Sequence, residues 1–80
     1  MDIAGSVQSV KKDLESTFGN TLTTSIIAIA RTKANAPLIG MNKQNYCDLI
    51  DSVCGDSRVQ SMLGSAATRE KSTKWKKLVD

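Results

Sequence analysis

Apolar residues recur at Ile3, Val7, Val10, Leu14 and Phe18, at intervals of four, three, four and four. That spacing puts them on one narrow stripe of a helix, with Lys11, Lys12, Asp13 and Glu15 on its outer faces. Gly19-Asn20 follows and closes the element, both residue types tolerating a left-handed cap. So narrow a stripe resembles a coiled-coil seam, yet little more than two heptads cannot stand alone as one. It must pack on the body of the chain or on a second copy.

Residues 21–35 carry two patterns at once. Thr-Leu-Thr-Thr-Ser-Ile-Ile-Ala-Ile-Ala is rich in β-branched residues, which favours a strand. Leu22, Ile26, Ile29 and Lys33 fit a helical stripe, and Ala28, Ala30 and Ala34 are good helix formers. No second convincing strand exists to pair with, so helix is the reading adopted. A strand at Thr21 to Arg31 would instead make an α+β domain.

Pro37, the sole proline, ends this element, and Asn42 offers an N-cap for a helix over residues 43–54. Tyr46, Cys47, Leu49, Ile50, Val53 and Cys54 cover a wide arc there, making it the most core-like segment of the chain. Gly55 caps it, and Asp56 or Ser57 starts a short helix through Val59, Met62 and Leu63. Gly64-Ser65 breaks it again. A last helix runs from about Ala66 to Val79, with Ala67, Lys71, Trp75 and Leu78 on one face. The pattern predicts an all-α fold, a compact bundle of four or five short helices, as one domain over residues 1–80.

Eighty residues bury only a small core, and domains of this size often add disulfides, metals or self-association. Cys47 and Cys54 are the only cysteines, and on one helix their Cα atoms stand about 10.5 Å apart. A disulfide needs about 7 Å or less, so both are expected as reduced thiols in a reducing compartment. With no histidine and no second cysteine pair, zinc has no ligand set. Self-association is then the expected stabiliser, giving a homodimer. The longest apolar run, residues 26–30, is far short of a membrane span, and the first residues lack a signal-peptide pattern. A cytoplasmic protein is expected.

Charge changes the picture at one end only. Arg69 to Asp80 hold five of the eleven Lys and Arg and two of the eight acids, a net of +3; the preceding residues sum to zero. Trp75, the only tryptophan, sits among Arg69, Lys71, Lys74, Lys76 and Lys77. Clustered charge raises the local potential more than scattered charge, so this end is a candidate surface for an anionic partner. A solvated helix face is the plainer alternative.

Catalysis finds little to work with. Without histidine there is no ordinary general base near neutral pH. Asp48 and Asp51 lie one turn apart with no visible partner acid, and no calcium or phosphate-loop pattern is complete. No catalytic, cofactor-binding or metal-binding residue is assigned. Residues 59–79 resemble a helix-turn-helix in outline, but Glu70 falls where the second helix wants an apolar anchor.

Two functions follow as expectations. The first is a non-enzymatic interaction or regulatory module, binding a protein partner through the Ile3, Val7, Val10, Leu14 and Phe18 stripe and the basic carboxy-terminal helix. The second is a small DNA- or RNA-binding regulator that uses the same basic helix on phosphates.

Overall fold

A computed structural model describes residues 2–37 and 40–80. Among the described residues four helices follow one another: α1 (Ile3–Ala34), α2 (Lys43–Cys54), α3 (Ser57–Leu63) and α4 (Ser65–Lys77). No strand occurs among the described residues. The chain is all-α.

α1 is one element in name and two in shape. A straight helix of 32 residues would be about 48 Å long, and the molecule measures 30 Å along its longest axis. The break is at Gly19, with φ 80° and ψ 169°, a conformation in effect reserved for glycine. Gly19 therefore bends the chain between two limbs, residues 3–18 and 20–34, where the sequence suggested a helix end.

The first limb starts on Asp2, whose carboxylate accepts a 2.7 Å bond from the Gly5 amide. Val10 and Leu14 are buried in the core, and Ile3, Val7 and Phe18 pack half-buried against it. The stripe is thus largely a face of this chain's own core. Thr23, Ile26 and Ala30 are the buried positions of the second limb. This rotates the expected face by one residue and leaves Ile29 42% exposed. Thr24 and Thr32 donate their hydroxyls to the carbonyls of Asn20 and Ala28, one turn back in the helix. The strand alternative for Thr21 to Arg31 is thereby set aside. Asn35 ends the limb in the left-handed conformation, its N–H reaching the carbonyls of Arg31 and Thr32.

α2 carries the centre of the core. Tyr46, Leu49, Ile50, Val53 and Cys54 are buried on the predicted arc, and Asn42 and Asn45 close a reciprocal capping box. α3 begins on Asp56, which also holds Arg58 through a forked pair at 3.1 and 2.8 Å. Arg58 reaches on to Ser25 at 3.2 Å, tying α3 to the second limb of α1. Gly64, at φ 85°, is the whole junction between α3 and α4.

Candidate functional site

The face that α4 turns inward is set by Thr68 and Trp75, which are buried, with Lys71 and Ser72 half-buried between them. These positions fall three, four and seven residues apart, one side of a helix. The expected face of Ala67, Lys71, Trp75 and Leu78 is therefore close to the observed one, shifted at its start. Trp75 brings its indole with it. Nε1 donates a 3.0 Å hydrogen bond to Asp13 of α1, and Lys71 donates to both oxygens of the same carboxylate at 3.0 and 2.9 Å. The Lys71 ammonium also stands 6.0 Å from the centre of the Trp75 ring. Asp13, an outer-face residue by its spacing, is in fact the point where α1 meets α4. Burial alone would raise its pKa. The bonds from Lys71 and Trp75 and the charges of Lys71 and Lys74 outweigh that and hold it below the ordinary value.

Lys76 turns toward α2, where its ammonium pairs with Asp51 at 2.7 Å. That hydrogen bond raises the lysine's pKa against a smaller opposing effect of burial. Asp51 thus serves as a lysine's counter-ion, and its neighbour Asp48 accepts from Gln44 at 2.9 Å. Near them Cys54 is buried, its thiol pushed up by desolvation despite the Ser72 hydroxyl beside it. Both Cys47 and Cys54 are free thiols. Among the described residues no three Cys, Asp or Glu side chains gather in a metal-binding group.

The outward face of α4 is different in kind. Arg69, Thr73 and Lys77 are exposed at i, i+4 and i+8, flanked by exposed Glu70 and Lys74, and the five line one shallow open hollow. Arg69, Lys74 and Lys77 close no ion pair among the described residues. Lys74 and Lys77 act on Asp13 and Asp80 only through space. Lys74 and Lys77 lie in the last turn of α4, where the helix dipole favours positive charge.

The six basic-helix candidates accordingly split in two. Lys71, Trp75 and Lys76 are drawn into the fold, and Arg69, Lys74 and Lys77 remain available on the surface. Of the apolar stripe, Val10 and Leu14 are enclosed, while Ile3 and Val7 border a groove between the two limbs of α1. That groove also takes in Lys11, Ile27, Arg31 and Met41. Nothing in the sequence flags it, because its sides come together only through the bend at Gly19.

Among the described residues no helix is long and apolar enough to cross a membrane. No protein-family model, curated protein or solved structure matches the chain.

Proposed function

We propose that this chain is a non-enzymatic helical interaction module that binds an acidic protein surface through the outer face of α4. The observation that carries the reading is the division of the basic helix. Lys71 and Lys76 form ion pairs within the fold, whereas Arg69, Lys74 and Lys77 stand on one exposed face and close none among the described residues. Unpaired cations on a rigid, packed helix set a positive patch that steers and orients an acidic partner. The apolar stripe contributes little to such a contact, since Val10 and Leu14 are already buried.

Binding of DNA or RNA through the same face is less well supported. A helix-turn-helix turn is three or four residues long, and here Gly64 alone joins α3 to α4. Trp75 is 2% exposed and offers no ring for a base to stack on. Glu70 also puts a negative charge in the strip.

Two measurements test the proposal together. Fluorescence anisotropy with labelled duplex DNA should give dissociation constants no tighter than about 10⁻⁴ M at physiological salt, the weak end of non-specific binding. Affinity capture from a nuclease-treated extract should retain a protein that the Lys74→Glu/Lys77→Glu variant fails to retain. Tight duplex binding that falls about 40-fold between about 50 and 200 mM salt, as three phosphate contacts require, would transfer the function to nucleic acid.

A further inference from the structure

The groove between the limbs of α1 has the size and lining of a small-molecule site. Its volume is about 630 Å³, inside the roughly 300–1,000 Å³ range of ligand pockets. Ile3, Val7, Ile27 and Met41 give it apolar sides. Lys11 and Arg31 supply positive charge, and none of the described residues lining it is acidic. Arg31 is half-buried. Its guanidinium carries a planar fork of N–H donors, and a carboxylate is the group that meets such a fork side-on.

We propose that this groove binds a small anionic amphiphile, a single-chain carboxylate whose tail lies along Ile3, Val7, Ile27 and Met41 and whose head group meets Arg31 and Lys11. The site is separate from the outer face of α4, so either proposal can fail without the other.

Sodium decanoate, octanoate and the uncharged decanol are the probes, titrated below their aggregation concentrations and followed by amide chemical shifts. Decanoate should saturate, with shifts concentrated on residues of both limbs of α1. Each methylene buried should tighten binding by up to about fourfold, so decanoate should exceed octanoate by roughly tenfold. Decanol should bind at least tenfold more weakly than decanoate. Arg31→Gln should weaken decanoate by tenfold or more. Ala28→Phe, at an exposed position on the groove wall, should block it without touching the charges. Amide spectra establish that each variant is folded. The proposal is overturned by absence of saturable binding, by indifference to chain length, or by unchanged decanoate affinity in folded Arg31→Gln. Groove shifts produced by an acidic amphipathic peptide and not by decanoate overturn it in favour of a protein occupant.

Discussion

The hydroxyl of Tyr46 donates a 2.7 Å hydrogen bond to the backbone carbonyl of Trp75, joining α2 to α4 across a fully buried gap. Desolvation first, then the neighbouring Cys47, pushes the phenol up to about 12. Tyr46→Phe removes the donor and keeps the ring, so it should cost about 1 kcal/mol, or roughly 4–8 °C in unfolding midpoint. A folded pKa above the unfolded value of about 10 gives stability that is complete below that pH and lost as pH climbs through about 12. Thermal unfolding followed from neutral to alkaline pH should therefore show a steeper fall in the parent than in Tyr46→Phe.

Asp13 works at the opposite end of the scale. Its depressed pKa contributes stability above the unfolded value of about 3.9, and that contribution disappears as pH falls through the lower folded value. Asp13→Ala would leave Lys71 unpaired and the buried Trp75 indole N–H unbonded, for a loss of about 2 kcal/mol near neutral pH. Acid unfolding monitored by Trp75 fluorescence should find the gap between parent and variant closing below about pH 4.

Gly19→Ala isolates the bend. A Cβ there would meet nothing within 4 Å, so any cost is backbone strain and not collision. With φ at 80° and ψ at 169°, alanine should destabilise by about 1–3 kcal/mol. An unchanged or higher midpoint in differential scanning calorimetry would mean the two limbs do not fold back as described.

Val10→Asp distinguishes a core residue from a dimer contact. Val10 is 3% exposed within the single chain, and burying an unpaired carboxylate there should remove most of a small domain's stability. Circular dichroism should show the helix signal largely lost at 25 °C. A variant that keeps its helicity and changes only its sedimentation would return the stripe to self-association.

These residues also show what the sequence could and could not disclose. The α2 arc and its Asn42 cap follow directly from spacing and capping chemistry, since both are local. Residues 21–35 carry both patterns because β-branched side chains favour a strand locally, and only the packing of Thr23, Ile26 and Ala30 against the core decides for helix. Gly19 carries the correct cue, a break, but a glycine does not reveal whether the chain ends a helix or folds back on itself. Asp13 sits 58 and 62 residues from its partners Lys71 and Trp75, and no periodicity predicts so distant a meeting. The division of the basic helix follows from that same contact. Charge counting finds the cluster, and only packing decides which lysines remain free.

The most direct test compares Lys71→Gln with Lys74→Gln/Lys77→Gln, measuring unfolding midpoint and retention on immobilised poly-glutamate for each alongside the parent. Lys71→Gln should lower the midpoint by roughly 4–8 °C, about 1 kcal/mol, and stay close to the parent in retention. The double variant should keep its midpoint within about 2 °C and elute at clearly lower salt. The opposite pattern, stability lost on the outer face and retention lost with Lys71, would contradict the division of α4 into a structural side and a binding side.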